Sequence, residues 1–528
     1  MTYALLLQAV LIPIICSPLA YLFGRKFGSK ASWFVFFILA YTTIALLISA
    51  QNNPVDESYS WFPQSLTGSV LLSSIGHFGL YLDGISIPFS ITIYVVAASA
   101  VLFSVPYMKK KIFEQERDHS NEEETEEKET PKRKSRFGLY LALYLLYSAG
   151  MVGTVLATNL IELYFLFEFM LVPSYFLIAE FGYGLRGRVS MMYLLWTHIG
   201  ALMMLLSFLA IGTQTNNFVF LGPGAVSAVQ IATGLIPWIA FGIVVGMFVK
   251  LAAFGLHVWL PGTYDQAPTP ITALMSAAMT GIGGYILIRI LIVLLPGEYV
   301  AIGIGLAAWG VVTMFYGGVM ALAQHDLKLL LAYSSISQMG YIIFGIATAT
   351  TLGVGGAVFQ FVSHATAKAL LFMVLGVIMI QTGGLKDIRQ MGGLTKKLPI
   401  TATCAMIGFL GLLGFPETNG FQSEWLIFGG GLQLGSEVGG DASWWLALSV
   451  LAIIATVITA AYALWAMKRV FFGQLPAHLA DVKEASPYML APIVFLAAVT
   501  IALGIAPGLI DNPLFATLNH LPHLFPLR

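Results

Sequence analysis

The stretch GLIPWIAFGIVVGMFVKLAAFGLHVWLP, residues 234–261, decides the class of fold. It is almost wholly apolar and exceeds the roughly 20 residues that an α-helix needs to cross a bilayer. Its one charge, Lys250, lies well inside the run, and the run closes on Pro261. An apolar run with one central charge is typical of a membrane span that carries a functional group.

The composition of the whole chain agrees with a membrane protein. Charged residues make up 10% and hydrophobic residues 58% of the 528 positions, and the mean hydropathy is +0.83. Soluble domains carry about 25% charged residues, so this chain lacks the charge to cover a water-facing surface. Its 26 basic and 26 acidic residues cancel, which argues against nucleic-acid binding because such proteins present a basic patch. We therefore predict an all-α polytopic protein of the lipid bilayer.

Fourteen apolar runs are long enough to count as spans. They are residues 3–23, 31–50, 82–107, 137–157, 159–182, 189–212, 234–258, 268–295, 299–322, 328–348, 354–381, 399–415 continuing through 421–436, 443–467 and 487–510. With this count, 22 of the 26 lysines and arginines fall in loops on one side, and Arg528 alone falls on the other. Basic loops face the cytoplasm, so the pattern predicts both termini on the outer face, most simply of a prokaryotic cell membrane.

The spans group into segments. We predict an N-terminal three-helix segment (1–107), a charged cytoplasmic loop (108–136), a first five-helix repeat (137–295), a second (299–467), and a C-terminal helix with a tail (468–528). The loop runs basic, then acidic, then basic, a pattern typical of solvated, disordered chain. It is either a tolerated insertion or a docking surface for a partner.

Several ionisable residues lie inside the predicted spans. A charge there is energetically costly, so each such residue is a candidate functional residue. They are Glu162 and Glu168 in span five, His198 in span six, Lys250 and His257 in span seven, Arg289 in span eight, His364 and Lys368 in span eleven, and Glu424 in span twelve. The spacing of four residues places His364 and Lys368 on one helical face. Lys250 and His257 are two turns apart, on roughly the same face.

Separated acids and bases favour a proton relay. A metal site would need ligands at a spacing such as HExxH, which the sequence lacks, and a substrate carrier usually concentrates its polar groups at one midplane site. A row of groups on different helices suits protons that pass from one to the next. Burial makes the charge of a lysine depend on a neighbouring carboxylate, which fits that role.

Simpler interpretations stay open for some of these residues. Glu168 and Lys250 could form a static ion pair between two helices. His198 could be an interhelical hydrogen-bonding partner, and Arg289 could extend to the membrane interface, as long basic side chains near span ends do.

Two spans contain helix breakers beside a charge. Span seven is expected to break at Trp259-Leu260-Pro261, after Lys250, and span twelve between Gly414 and Gly420, before Glu424. Proline breaks the backbone hydrogen-bond ladder, and such breaks are tolerated at membrane depth only inside protein or beside a water-filled cavity. The breaks lie five spans apart, which suggests inverted five-helix repeats, a transporter feature.

Five motifs carry a family resemblance. They are FLFEFMLVPSYFLIA (165–179), KLAAFGLHVWLPGTYDQAPTPITALMSA (250–277), QHDLKLLLAYSSISQMGY (324–341), VSHATAKALLF (362–372) and GGLTKKLP (392–399). The chain resembles the antiporter-like subunits of respiratory complex I and of the multi-subunit cation/proton antiporters, over roughly spans three to thirteen. The resemblance implies about fourteen transmembrane helices, two inverted five-helix repeats, and broken helices seven and twelve.

The resemblance also implies a central proton axis. Carried to this chain, the axis consists of Glu168, Lys250, His364, Lys368 and Glu424. The last position is usually lysine in the L- and N-type subunits and glutamate in the M-type (chain 4) subunit, so Glu424 favours the M type.

The chain departs from the family in two places. The family segment WLPDAH is WLPGTY here (259–264), and Gly281 stands where many M-type members carry a lysine. The resemblance then requires another connection from Lys250 to His364, through water and other groups. Candidates for it are His257, Thr280 and Ser276.

The leading hypothesis is a proton-translocating membrane subunit of a complex I-like NADH (or other donor)-quinone oxidoreductase. The sequence has no four-cysteine cluster spacing, dinucleotide-binding fingerprint or haem motif, so we expect no cofactor in this chain. Quinone and iron–sulfur or flavin centres are expected in partner subunits, and the partners in the other membrane-arm subunits. The alternatives are a subunit of a cation/proton antiporter, the arm of a membrane-bound hydrogenase, and a structural spacer.

Overall fold

The computed structural model describes residues 4–60, 77–117, 129–436, 441–521 and 524. In these residues two strands, β1 (Val55–Ser60) and β2 (His77–Leu82), form an antiparallel hairpin. The helices are α1 (Leu5–Phe27), α2 (Ser32–Ala50), α3 (Ser86–Arg117), α4 (Pro131–Leu156), α5 (Leu160–Phe181), α6 (Arg186–Thr215), α7 (Ile236–Lys250), α8 (Trp259–Gln266), α9 (Thr269–Leu294), α10 (Pro296–Leu322), α11 (Leu327–Ala347), α12 (Thr351–Thr382), α13 (Pro399–Leu412), α14 (Asn419–Gly435), α15 (Ala442–Phe471), α16 (Pro487–Ile505) and α17 (Gly508–Leu518).

Eleven stretches of the described chain are long and apolar enough to cross a membrane. One of them, Leu5–Ala50, contains α1 and α2, separated by a single 3-10 turn. The shorter apolar helices α7 and α13 are each followed, after a break, by a second helix, α8 and α14. The prediction of an all-α polytopic membrane protein is confirmed. The count of fourteen spans and the inverted repeats stay predictions.

Helix α12 forms the centre of the molecule. Every residue from Gly353 to Met379 is buried, and α12 packs against α3, α9, α11, α13, α14 and α16. The outer helices instead expose large apolar side chains, such as Phe37 on α2, Leu206 on α6 and Val457 on α15. Apolar exposure on this scale requires lipid or a partner to cover it, so the polar groups of the core are the ones to examine for function.

The first break lies earlier in the chain than the sequence predicts. Helix α7 ends at Lys250, and α8 begins at Trp259. The expectation that Pro261 breaks the span is wrong. Pro261 lies in the first turn of α8, where a backbone N–H has no partner within the helix and its loss is tolerated. Since His257 lies in the break, the two-turn relation to Lys250 is also wrong.

The second break is where the sequence predicts it. Helix α13 ends at Leu412 and α14 begins at Asn419. Gly414 has a φ of 67°, a conformation that strains any residue with a Cβ. The break therefore follows from glycine chemistry as well as from Pro416.

The charged loop is shorter than the predicted residues 108–136. Helix α3 continues to Arg117 and α4 already begins at Pro131, because lysine, glutamate, glutamine and arginine are good helix formers that extend a span beyond the membrane. Arg133 pairs with Glu116 at 2.9 Å and joins the two extensions. Residues 118–128, which hold most of the acidic block, lie outside the described residues.

Arg289 does not extend to the membrane interface, contrary to that interpretation. Its guanidinium is fully buried and binds both oxygens of Asp83, at 2.9 and 2.5 Å, and its Nε donates to the Tyr285 hydroxyl at 3.0 Å. Asp83 also accepts from the backbone N–H groups at the start of α3. A guanidinium has five donors in a planar fork that matches a carboxylate, so the pair fixes the end of α9 to the start of α3.

We expect Arg289→Leu to destabilise the protein strongly. Removing one member of a buried pair leaves the other charge unpaired and costs about 3–5 kcal/mol. The matched control is Arg389→Leu, which breaks the pair of Arg389 with Asp387. The Arg389 side chain is 60% exposed, and exposed pairs contribute about 0–1 kcal/mol. Thermal unfolding of the detergent-purified protein measures both, and equal losses in the two variants would contradict this view of Arg289.

Candidate functional site

Glu168 and His198 form a pair near the surface of the helix bundle. Glu168 lies on α5, and His198 on α6 places its Nδ1 3.2 Å from the carboxylate. Their side chains are 19% and 43% exposed. His198 is thus an interhelical hydrogen-bonding partner, as its simpler interpretation held, and it gives Glu168 a neighbour that can itself hold a proton.

Lys250 is buried at the last position of α7. Among the described residues its Nζ has no hydrogen-bond partner and forms no ion pair with Glu168 within 4.0 Å. Instead it lies 4.8 Å from the centre of the Phe167 ring, a cation–π arrangement. Phe167 directly precedes Glu168, and the charges of Lys250 and Glu168 still interact. The static ion pair is therefore absent from this arrangement, and Lys250 is left without a fixed partner.

Side chains from neighbouring elements satisfy the backbone of the first break. The indole of Trp259 donates to the carbonyl of Val249 at 2.8 Å. Trp196 donates to Leu256 and Trp309 to Phe254, each at 3.0 Å. A backbone group inside a membrane needs such partners, so tryptophans make this irregular segment possible next to Lys250.

His257 lies in the same break. Its Nε2 is 2.9 Å from the Tyr316 hydroxyl on α10, and the residue is only partly buried. The structure therefore places His257 against α10, apart from the groups on α9 and α11 described next. Its role in the axis stays a prediction.

A chain of hydroxyl groups connects α8, α9 and α11 beside α12. Tyr264 on α8 shares a hydrogen bond of 2.6 Å with Thr280 on α9, and its hydroxyl also lies beside Ser276. Ser276 in turn shares a hydrogen bond of 2.9 Å with Ser335 on α11. Trp259 packs edge-on against Tyr264, at 6.4 Å between ring centres. We call Tyr264, Thr280, Ser276 and Ser335 the hydroxyl bridge.

A π-helical turn shapes this part of α9. Met275–Met279 form the turn, and the N–H of Thr280 bonds to the carbonyl of Met275. Such turns insert one residue into an α-helix and are frequent at functional sites. The turn carries Ser276 and leads into Thr280, two of the groups proposed from sequence to connect Lys250 with His364.

His364 and Lys368 lie one turn apart on α12, both buried. His364 Nε2 is 3.1 Å from the carbonyl of Ser276, so this nitrogen carries the proton. Lys368 donates to the carbonyl of Leu331 at 2.9 Å and to the Ser334 hydroxyl. His364 therefore lies next to the hydroxyl bridge through the main chain of Ser276, and α11 holds Lys368.

Glu424 lies at the second break, in the first turns of α14. Its side chain is 7% exposed, and its carboxylate lies against Gly414, where an added Cβ would come within 2.5 Å of it. Asn419, at the start of α14, donates to Thr366 and accepts from Ser363 on α12. The break thus provides a space that glycine leaves open, and the carboxylate fills it.

The structure adds polar residues that the sequence reasoning missed. Asp511 on α17 accepts from Gln422 at 2.9 Å, and Lys328 donates to the carbonyls of Asp265 and Ala267 at 2.8 and 2.6 Å. In the sequence, Lys328 counts only among the basic residues of the loops. Its position at the start of α11 does not reveal that the end of α8 and the residue after it bury its side chain. The Asp-Gly at 83–84, a turn signal just before a span, was the available sign for Asp83.

The fold and these side chains define a class of protein: a polytopic helical membrane protein with two broken helices and buried ionisable groups on several helices. The chain belongs to the NADH:quinone oxidoreductase/Mrp antiporter transmembrane family, whose model matches residues 157–459. The predicted family resemblance is confirmed.

Relatives of the chain match nearly its whole length. It is 29% identical to F420H2 dehydrogenase subunit M of Methanosarcina mazei over 94% of each chain. It is 30% identical to NAD(P)H-quinone oxidoreductase chain 4 of Synechococcus elongatus, over 95% of this chain and 88% of the relative. A chain of respiratory complex I from Thermus thermophilus has the same fold, with a TM-score of 0.79, 22% identity and 98% of each chain covered.

We expect Gly414→Ala to displace Glu424 and to cost more stability than Gly383→Ala. Both glycines have positive φ, 67° and 71°, so each substitution carries about 1–2 kcal/mol of backbone strain. Gly383 has open space around its Cβ position, whereas at Gly414 the new carbon meets the carboxylate. Thermal unfolding of the two purified variants measures the difference, and an equal loss would show that Glu424 does not fill this space.

Proposed function

We propose that this chain is a proton-translocating membrane subunit of a complex I-like quinone oxidoreductase, of the M type. The observation that carries the proposal is the row of buried or half-buried ionisable side chains on four helices. It comprises Glu168, Lys250, His364, Lys368 and Glu424. Ionisable residues inside a membrane protein mark sites such as proton relays, and the relatives include an F420H2 dehydrogenase subunit M and an NAD(P)H-quinone oxidoreductase chain 4.

The relay begins at Glu168 and Lys250. Lys250 has no hydrogen bond to lose among the described residues, so its charge depends on the neighbouring carboxylate and its hydration. When the Glu168 carboxylate turns toward His198, as here, it stabilises the charged form of Lys250 less. Lys250 then releases its proton more readily. This is an electrostatic switch built from three side chains.

The hydroxyl bridge takes the proton toward α12. A hydroxyl both donates and accepts a hydrogen bond, so Tyr264, Thr280, Ser276 and Ser335 can pass a proton by exchanging partners, with water in the gaps. The bridge ends beside His364, whose Nε2 donates to the main-chain carbonyl of Ser276, so water carries the proton from the bridge hydroxyls to the imidazole. The bridge takes the place of the lysine that many M-type members carry at the position of Gly281.

Redox energy enters through partner subunits in this proposal. The chain itself carries no cofactor, and the quinone and the iron–sulfur or flavin centres belong to those partners. Other membrane-arm subunits are the protein partners, protons are the cargo, and no nucleic acid is involved. The lysine and arginine distribution supports a prokaryotic cell membrane with both termini on the outer face.

A cation/proton antiporter subunit is the second candidate, because the family includes Mrp antiporters. In that case the same axis would exchange protons for sodium without electron transfer. Glu424 in place of lysine favours the oxidoreductase, and a membrane-bound hydrogenase arm would share the fold. Vesicles separate the two main candidates: acidification driven by NADH supports the oxidoreductase, and sodium-driven proton movement without any electron donor supports the antiporter.

We expect Lys250→Leu and Glu168→Gln to abolish proton pumping by the assembled complex, because each removes one of the three side chains of the electrostatic switch. The control is Lys396→Met, a lysine of the basic loops that lies outside the axis. The pH gradient formed by inverted membrane vesicles is measured with a fluorescent amine, after immunoblotting has confirmed equal assembly. Full pumping in both axis variants would refute the proposal.

We expect Thr280→Val to slow pumping roughly tenfold without loss of assembly. The change keeps the shape of the side chain but removes the hydroxyl that Tyr264 contacts, and an unpaired buried partner costs about 1–3 kcal/mol, which is roughly tenfold in rate. Thr456→Val is the matched control, since Thr456 is a partly exposed residue of α15 whose hydroxyl donates to Ile453 of its own helix. Unchanged pumping in Thr280→Val would remove the hydroxyl bridge from the path.

A further inference from the structure

Two glutamine side chains lie between Lys368 and Glu424. Gln338 is on α11 and Gln360 on α12, and both are buried. The Nε2 of Gln360 donates to the Oε1 of Gln338 at 2.5 Å. We call these residues the amide pair. They occupy the second half of the molecule.

The hydrogen bonds of the amide pair run in one direction. Gln338 Nε2 faces the carbonyl of Leu412 at 3.4 Å, and a carbonyl only accepts, so this contact fixes which end of the Gln338 amide is the nitrogen. Its oxygen must then face the nitrogen of Gln360. The oxygen of Gln360 accepts from the Ser423 hydroxyl at 2.5 Å, so every donor points from Ser423 toward Leu412.

The hydrogen bonds of the amide pair are anchored at both ends of the second break. Leu412 is the last residue of α13, and its carbonyl has no partner within that helix because the helix stops there. Ser423 lies in α14, one residue before Glu424. The amide pair therefore connects α11 and α12 to both halves of the broken span, and turning either amide over would disturb the two hydrogen bonds that this amide makes.

An amide does not relay a proton as a hydroxyl does. Its oxygen only accepts and its nitrogen only donates, so a proton that entered at the oxygen and left from the nitrogen would leave a disfavoured tautomer behind. The orientation of this pair is fixed as well. The line from Ser334, which holds Lys368, to Ser423, which precedes Glu424, thus crosses two groups that do not conduct.

Tyr462 offers a route around the amide pair. Its hydroxyl, on α15, lies beside Ser334, Gln338 and Thr459. The oxygen is buried and has no hydrogen bond of ordinary geometry among the described residues. The charge of Glu424 acts on this hydroxyl and on that of Tyr341. Tyr462 therefore lies between Ser334, which binds Lys368, and the carboxylate of Glu424.

We propose that the amide pair is a proton barrier between Lys368 and Glu424, and that the Tyr462 hydroxyl carries protons past it. The inference rests on the proposed proton-translocating function. It assigns the two halves of the axis different tasks: the hydroxyl bridge conducts freely, and the second half conducts only when Tyr462 and water connect Ser334 with Glu424. The barrier prevents passive return of protons.

The test uses inverted membrane vesicles that contain the assembled complex. We expect Tyr462→Phe to lower donor-driven pumping at least tenfold, and Tyr299→Phe, which removes another fully buried tyrosine hydroxyl, to leave it unchanged. Gln338→Glu replaces the non-conducting amide by a carboxyl group that accepts and donates. It should restore pumping in the Tyr462→Phe background and, alone, increase the decay of an imposed pH gradient severalfold when no donor is present.

Different results separate this inference from the proposed function. If the unmodified complex forms no pH gradient, the proposed function fails. If it pumps, and Tyr462→Phe pumps equally well with normal assembly, the assignment of Tyr462 is overturned. A passive leak in Gln338→Glu no larger than in Gln433→Glu, a glutamine of α14 outside the amide pair, would overturn the barrier. Gln338→Met, which removes the amide without adding a titratable group, shows by its assembly whether the pair is needed for folding.

Discussion

A polar group inside a bilayer finds no water, so its partner has to come from the protein. The rest of this structure depends on that constraint. Arg289 lies at membrane depth because Asp83 offers it two oxygens, and the chain can leave the helical path after Lys250 because indole N–H groups meet the freed carbonyls. Helix ends, breaks and charges are placed where a donor and an acceptor can meet. Lys250 is a buried cation whose nitrogen meets no such partner among the described residues.

The two breaks meet the same requirement with different chemistry. Tryptophans on α6, α8 and α10 satisfy the first break, and each gives a single donor that cannot accept. At the second break a side-chain amide does this: Gln338 reaches the carbonyl of Leu412, while the amide of Asn419 binds the side chains of α12. Indoles leave the nearby hydroxyl groups free to exchange hydrogen bonds, whereas amides take part in the polar path itself. The difference between the two halves of the proposed axis thus begins with how each broken backbone is repaired.

The sequence predicted the membrane class, the break before Glu424 and the family, because length of apolar runs, glycine with proline, and ordered motifs are local signals. It misplaced the first break because proline is tolerated in the first turn of a helix, and the positive φ values of Ala252 and Gly255 have no comparable signal. The Asp83–Arg289 pair joins positions 206 residues apart, and no local pattern specifies such a pairing. The orientation of the amide pair depends on four elements at once. Spacing alone can name such residues but cannot orient them.

The burial of α12 has a consequence for how the protein is made. Ribosomes deliver helices in chain order, so α12 enters the membrane after α3, α9 and α11 but before α13, α14 and α16, which complete its enclosure. During that interval one side of the helix meets lipid. His364 and Lys368 lie near its middle and cannot remain charged against hydrocarbon at low cost. The contacts of His364 with Ser276 and of Lys368 with Leu331 use only earlier helices, so both groups have a binding place before the second half of the protein exists. The order of synthesis and the order of the polar contacts coincide.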